Sequence, residues 1–326
     1  AWKLSPDGLF RAGQSTADAG TATQFAALGL AFSTPQVGRI QLAVDSNGDA
    51  ISPAESRSVL IFGGGYNGGR VAGAKVGKDL NNSRNSVASA QVGRDDGSGT
   101  SDRGNALFMI DAASGQLIWR AVRSQTASAG YTASAGTRSY AHPMLVDSIP
   151  SDLTALDTDN DGFTDRLYVG DTGGRVWRAD FPGALPSAWT VTPIASIGRH
   201  NAGNSTLAND RRIFFAPDFV PIRNANNTQA TDLILFGTGD REDPLNLVSE
   251  NAFYALRDPD VISGKAASEI VLTEDSANLT KQSSFVDVTA LSGSSLTDIT
   301  KLTQAGYRVR YARTGEKHFS APVTLG

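Results

Sequence analysis

A run of acidic residues at 157–165 has the composition and spacing of a loop that binds a hard divalent cation. The run, Asp-Thr-Asp-Asn-Asp-Gly-Phe-Thr-Asp, has carboxylates at positions 1, 3, 5 and 9. Ca²⁺ prefers about six to eight oxygen ligands, and a glycine at position 6 permits the sharp turn that directs them inward. We therefore predict a calcium site formed by Asp157, Asp159, Asp161 and Asp165, with the main-chain carbonyl of Phe163.

The residues that follow this acidic run exclude an EF-hand. An EF-hand has a bidentate glutamate at position 12 and continues into a helix. Here position 12 is Tyr168, and residues 166–171 alternate in a pattern typical of a strand. The alternative interpretation is a solvated acidic turn, but four carboxylates within nine residues repel one another unless a cation neutralises them. Mg²⁺ fits less well than Ca²⁺, because it retains most of its waters in proteins.

A second, shorter run at 45–49 is another candidate cation loop. Its sequence, Asp-Ser-Asn-Gly-Asp, has oxygen ligands at positions 1, 3 and 5. Position 6 is Ala50 and position 9 is Pro53, so the run lacks the glycine turn and the fourth carboxylate of the first loop. Glu55 could supply a carboxylate from further along the chain. We predict a second candidate metal site at Asp45, Asn47 and Asp49.

The composition excludes several classes of function. The chain has 326 residues and no cysteine, which excludes disulfides, thiolate metal sites and cysteine catalysis. Its net charge of −4 argues against general affinity for nucleic acid or acidic membranes. No apolar run reaches the ~20 residues that span a bilayer. The absence of cysteine fits an exported bacterial protein. Because residues 1–3 do not resemble a native start, we expect a fragment or a processed chain.

Repeated strand patterns predict the architecture. Four segments begin a strand around a proline, at 33–37, 141–145, 215–219 and 320–323. Short antiparallel strands in radially repeated units are typical of β-propeller blades. We predict an all-β, modified β-propeller with quinoprotein-like blades and long loop insertions, of which this chain covers a part. The predicted blade units span about 33–120, 141–191 and 212–311, with another starting at 317, and polar insertions lie at 75–105, 121–140 and 259–305.

Five stretches resemble the C-terminal propeller of the PilC/PilY family, the type IV pilus tip-associated adhesins. They lie at 59–67, 157–171, 173–180, 235–244 and 315–322. The resemblance implies a calcium site that regulates pilus extension and retraction, exposure at the bacterial surface or pilus tip, and a part in twitching motility and adhesion. It implies minor pilins, the pilus machinery and host or abiotic surfaces as partners. It also implies that the calcium ligands are Asp157, Asp159, Asp161, Phe163 and Asp165.

Two other classes of protein remain open. An acidic loop that enters a strand also resembles the calcium hairpins of integrin-type propellers, which implies a calcium-dependent surface-binding module. The stretch 106–120 resembles a blade of the quinoprotein dehydrogenases. Those enzymes hold calcium and the quinone with residues from several blades, and we find no such set in the sequence. We therefore expect no catalytic residues and no cofactor besides Ca²⁺.

Overall fold

The computed structural model describes residues 1–45, 47–67, 103–134, 137–198, 207–223, 229–241, 243–258, 272–273, 285–289 and 306–324. Within these ranges the regular secondary structure is almost entirely β-strand. The exceptions are one helix of five residues, α1 (Thr21–Phe25), and two 3-10 turns, Pro186–Ala188 and Leu207–Asn209. The prediction of an all-β chain is confirmed. No helix in these ranges has the length and apolar character needed to cross a bilayer.

Eighteen strands lie in the described ranges, in one small hairpin and three larger sheets. In chain order they are β1 (Trp2–Ser5), β2 (Gly8–Arg11), β3 (Gln36–Val44), β4 (Ala50–Gly63), β5 (Leu107–Asp111), β6 (Leu117–Arg123), β7 (Gly130–Ser134), β8 (Thr137–His142), β9 (Thr154–Leu156), β10 (Arg166–Gly170), β11 (Arg175–Asp180), β12 (Thr190–Ser196), β13 (Asp218–Arg223), β14 (Gln229–Gly237), β15 (Ala252–Asp258), β16 (Leu272–Thr273), β17 (Val286–Asp287) and β18 (Gly306–Arg310).

Each larger sheet is built around four antiparallel strands, as in a propeller blade. The first sheet contains β3 to β6, the second β9 to β12, and the third β13, β14, β15 and β18. In every sheet the fourth strand also pairs with a parallel strand: β6 with β8, β12 with β16, and β18 with β17. An added strand satisfies backbone groups that an open edge would expose. The architecture is propeller-like, as the repeats predict.

The second sheet packs against a neighbouring sheet on both of its faces. Leu167 and Val169 of β10 belong to a buried cluster that includes Trp119 of the first sheet. The intervening Tyr168 belongs to another buried cluster, which includes Phe236 of the third sheet. Because successive side chains of a strand point to opposite faces, burial on both sides leaves every residue of β10 and β11 buried. The second sheet is therefore the middle layer of three.

The structure differs from the predicted strand positions in three places. The pattern at 141–145 predicts the first strand of the second sheet, but that strand is β9, and Leu145 is buried in the connection before it. An apolar run after a proline has the same pattern in a strand and in a buried turn. The predicted insertion at 121–140 contains β7 and most of β8. The fourth proline segment, 320–323, forms no strand. Most of the insertions at 75–105 and 259–305 lies outside the described residues.

Candidate metal centre

The acidic loop connects β9 to β10, the first two strands of the middle sheet. The two strands pair at its base, where Arg166 lies opposite Leu156, and the amide of Asp165 donates to the carbonyl of Leu156 at 2.9 Å. Two residues of the loop have left-handed backbone, Asn160 with φ of 63° and Gly162 with φ of 89°. Gly162 is the position-6 residue, and its conformation is one that glycine adopts without the steric cost that a side chain brings. The sharp turn predicted at this position is therefore present.

Three carboxylates of the loop converge. Oxygen atoms of Asp157, Asp159 and Asp165 all lie within 4.8 Å of one another. Two ligands of a single Ca²⁺ are at most about 5 Å apart, since each lies roughly 2.3–2.6 Å from the ion. Asp165 is 8% exposed, whereas Asp157 and Asp159 are exposed to solvent. The arrangement therefore fits one cation, with a buried carboxylate below it and two solvent-facing carboxylates above.

Amide and hydroxyl donors within the loop hold these carboxylates in place. The Asp165 carboxylate accepts hydrogen bonds from the backbone amide of Thr158 at 2.7 Å and from its hydroxyl at 2.9 Å. The Asp157 carboxylate accepts from the amide of Gly162 at 2.9 Å. The amide of Asp161 lies 3.2 Å from Asp157 Oδ1 and 3.1 Å from Asp159 Oδ1. These donors offset part of the mutual repulsion of the carboxylates, so the oxygen cluster forms from the loop's own contacts.

Asp161, predicted as the position-5 ligand, lies outside this group of three. Its Oδ1 atom instead accepts a hydrogen bond at 2.8 Å from the amide of Phe163, two residues further along the loop. The structure thus brings together three of the four predicted carboxylates. The assignments of Asp161 and of the Phe163 carbonyl as ligands stay predictions.

The second candidate loop, at 45–49, has a different geometry. The Asp45 carboxylate accepts the amides of Asn47 and Asp49 through the same oxygen, at 2.8 and 2.9 Å. Hydrogen bonding from the Asp49 amide is the main cause that lowers the pKa of Asp45, and burial opposes it. Asn47 directs its side-chain amide nitrogen toward Asp45, at 3.4 Å. In this turn the Asp45 carboxylate is occupied by backbone amides of the turn itself. The metal site at Asp45, Asn47 and Asp49 stays a prediction.

Sequence reasoning missed the contacts that attach the acidic loop to the rest of the molecule. The amide of Thr164 donates to the carbonyl of Arg39 in the first sheet at 2.7 Å, and the Arg39 guanidinium lies 5.3 Å from the centre of the Phe163 ring. The amide of Phe181 donates to the carbonyl of Asp165 at 2.7 Å. Arg39 is more than a hundred residues from the loop in sequence, so no local spacing rule could identify it.

A second set of ionisable groups lies at the opposite end of β10. Asp171 is buried and accepts a hydrogen bond from Trp177 Nε1 at 2.8 Å, while Arg175 forms an ion pair with Asp147 at 2.8 Å. Burial, together with the Asp147 carboxylate, raises the pKa of Asp171 to about 6, against the opposing effect of Arg175. Burial and the charge of Arg175 lower the pKa of His142 to about 4. In this set the protein itself places one arginine beside two buried carboxylates.

Comparison with known proteins yields a distant likeness of fold. No protein-family model matches the chain, and no curated protein matches it. Among solved structures, the chain is similar to the Pseudomonas aeruginosa PilY1 C-terminal domain, with 16% sequence identity and a TM-score of 0.48. The alignment covers 89% of this chain and 52% of that chain, so the present chain spans about half the length of the solved one. A likeness at this level carries no argument about function.

Proposed function

We propose that the chain is a calcium-binding, propeller-like domain of a pilus-associated surface protein. The observation that carries the calcium assignment is the convergence of Asp157, Asp159 and Asp165 within 4.8 Å. The ligand set is made of hard carboxylate oxygens, which favours Ca²⁺ or Mg²⁺ over transition metals. A loop with several carboxylate ligands suits Ca²⁺ better, because Mg²⁺ demands near-ideal octahedral geometry and is seldom bound by dedicated protein cages.

The pilus assignment rests on the sequence. The five stretches that resemble the PilC/PilY family occur in the order of that family and extend over most of the chain, with the acidic loop among them. On this basis we propose exposure at the bacterial surface or pilus tip. We propose minor pilins and the pilus machinery as partners, and host or abiotic surfaces as attachment targets. The role we propose is one of binding and regulation, without catalysis.

The loop residues have distinct parts in this proposal. A bound cation would supply the positive charge that three converging carboxylates lack. Asp165 is held by Thr158 at the base of the loop, whereas Asp157 and Asp159 lie at its exposed rim. Without the cation, repulsion acts most freely on the exposed pair. The buried side chains of β10 keep the strand in place, because their burial does not depend on metal.

Calorimetric titration with CaCl₂ tests the calcium assignment. We expect one binding event for the unmodified chain and its loss in Asp159→Asn, because the substitution removes one of three converging charges. The control is Asp49→Asn, which makes the same chemical change in the second candidate loop and leaves the binding heat unchanged. Equal heats for the unmodified chain and Asp159→Asn would contradict the assignment. Loss of binding in Asp49→Asn alone would move the site to residues 45–49.

A cellular measurement tests the regulatory part. We expect Asp165→Ala in the intact protein to change pilus number or twitching motility, because it removes the buried carboxylate of the loop, while export of the protein continues. The comparison uses calcium-replete and calcium-depleted media, with immunodetection of the exported protein as the control. Unchanged piliation and motility in both media would contradict a regulatory role and leave a structural ion as the better account.

A further inference from the structure

The last two residues of the acidic loop, Thr164 and Asp165, and the first residue of β10, Arg166, together contact all three large sheets. Thr164 is hydrogen-bonded through its amide to Arg39 of the first sheet at 2.7 Å. Gly38 lies against the same residue, so closely that a Cβ atom at Gly38 would be 2.6 Å from Thr164 Oγ1. Asp165, one of the converging carboxylates, is fixed within the second sheet by the amide of Phe181 at 2.7 Å. The loop therefore ends where the first and second sheets meet.

Arg166, the next residue, reaches the third sheet. Its side chain is fully buried, with Nε 3.0 Å from Asp180 Oδ1 and Nη1 2.9 Å from Asp232 Oδ2. Asp180 lies directly opposite Arg166 on β11, and Asp232 lies on β14 of the third sheet. A buried ion pair is effective only in a narrow range of geometries, because both groups have lost their hydration. The position of Arg166 thus depends on the position of Asp232.

Further buried groups extend this contact along the same face. Arg178 bonds Asp180 at 2.8 Å and Asp258 of β15 at 2.8 Å, and the hydroxyl of Tyr168 donates to Asp258 at 2.8 Å. All of these side chains are at most 5% exposed. The second and third sheets are therefore joined by a connected set of charged hydrogen bonds that begins one residue after the acidic loop. A network of this kind responds as a unit when one member is displaced.

We infer that cation binding by the acidic loop is thermodynamically coupled to the contact between Arg166 and Asp232, so that occupancy of the loop biases the packing of the third sheet on the second. The inference rests on the calcium site of the proposed function. Asp165, the last residue of the loop, and Arg166, the first of β10, are covalently adjacent, so a displacement of one is transmitted to the other. Coupling between two sites is reciprocal: if the cation strengthens the sheet contact, then weakening that contact lowers affinity for the cation.

Calorimetric titration of the intact chain with CaCl₂ measures this coupling. We expect Asp232→Asn to weaken the affinity for Ca²⁺ at least fivefold, the lower end of typical coupling between sites, although Asp232 is not among the converging carboxylates. The matched control is Asp240→Asn. Asp240 is also buried and paired with an arginine, Arg212 at 3.4 Å, but it follows the opposite end of β14. Its substitution leaves the affinity within about twofold of the unmodified chain.

A second variant alters the same contact from the second sheet and guards against failure of Asp232→Asn to fold. Arg166→Lys keeps the buried positive charge but loses the guanidinium geometry that contacts Asp180 and Asp232 together, and we expect it also to weaken Ca²⁺ affinity. Hydrogen exchange provides a structural readout: we expect Ca²⁺ to slow exchange of the Thr164 and Phe181 amides in the unmodified chain.

The outcomes separate the two proposals. Unaltered Ca²⁺ affinity in a folded Asp232→Asn, or in Arg166→Lys if the former does not fold, overturns the coupling while the calcium site stands. Equal losses in Asp232→Asn and Asp240→Asn overturn it as well, because general destabilisation then explains both. Absence of Ca²⁺ binding in the unmodified chain overturns the calcium site and the coupling together.

Discussion

The two ends of β10 carry carboxylates in opposite settings. At one end, Asp157 and Asp159 are exposed and held by backbone amides, and within the described part of the chain no lysine or arginine forms an ion pair with them. At the other end, Asp171 is buried beside Arg175, and Trp177 donates to it. At both ends an aspartate is followed by a turn that contains glycine. They differ in where the compensating charge comes from.

A structural aspartate and a cation ligand therefore differ in the source of the positive charge beside them. Asp147 at the buried end pairs with Arg175, so the protein itself supplies a positive charge there. The three converging carboxylates of the acidic loop have hydrogen-bond donors but no such partner in the described structure. A divalent ion completes their electrostatic balance, because opposite charge within a few ångströms stabilises the ionised form.

The largest expected difference between the two ends is the effect of a substitution on the free energy of unfolding. We expect Arg175→Met to lower the free energy of unfolding by roughly 3–5 kcal/mol, because it leaves buried carboxylates without their partner charge. Asp159→Asn in calcium-free buffer should change it by less than about 0.5 kcal/mol, or raise it slightly by relieving repulsion. Urea unfolding of both variants measures the contrast. A small effect of Arg175→Met would show that the buried end is not held by its ion pair.

A smaller expected effect is the pH dependence of the free energy of unfolding that arises at the buried end of β10. Folded His142, with its pKa of about 4, loses its proton as pH rises from 4 to 6, while the unfolded side chain, with its pKa near 6.5, stays largely protonated. Its contribution to stability therefore grows as pH rises. Asp171 acts with the opposite sign, because the folded carboxyl, with its pKa of about 6, retains a proton that the unfolded one has released. The two contributions oppose each other in the unmodified chain.

Substitutions separate these contributions. Relative to the unmodified chain, we expect the free energy of unfolding of His142→Phe to fall by about 1 kcal/mol from pH 4 to pH 6, a value reduced for the partial exposure of the imidazole. Asp171→Asn should show the reverse trend. Urea unfolding at several pH values measures both. If the free energy of unfolding varied with pH in the same way in all three proteins, the contributions assigned to His142 and Asp171 would be contradicted.

Features encoded by local spacing were predictable from the sequence. The strands around Val59, Leu167 and Leu235 follow from apolar runs that end in glycine, and the turn at Gly162 follows from the cation-loop pattern. The acidic loop could be located because its ligands lie within nine residues. Spacing alone did not place the Asp161 side chain, which instead accepts the amide of Phe163 within its own turn.

Features that depend on distant parts of the chain were not predictable. The sequence of β10 alternates Arg166, Leu167, Tyr168 and Val169, which is typical of a strand with one face in water. Both faces are buried, because aspartates of the third sheet satisfy Arg166 and Tyr168 across the interface. The parallel strands β8, β16 and β17 pair with the large sheets after long connections, and a propensity argument contains no information about such pairing.

A crystal structure of the chain in the presence of CaCl₂ would show directly whether the loop holds a cation. We expect one ion in the loop between β9 and β10, with carboxylate oxygens of Asp157, Asp159 and Asp165 at roughly 2.3–2.6 Å. The same map shows whether Asp161 and the Phe163 carbonyl complete the coordination. A loop without an ion at saturating CaCl₂, or an ion bound only at residues 45–49, would contradict this expectation.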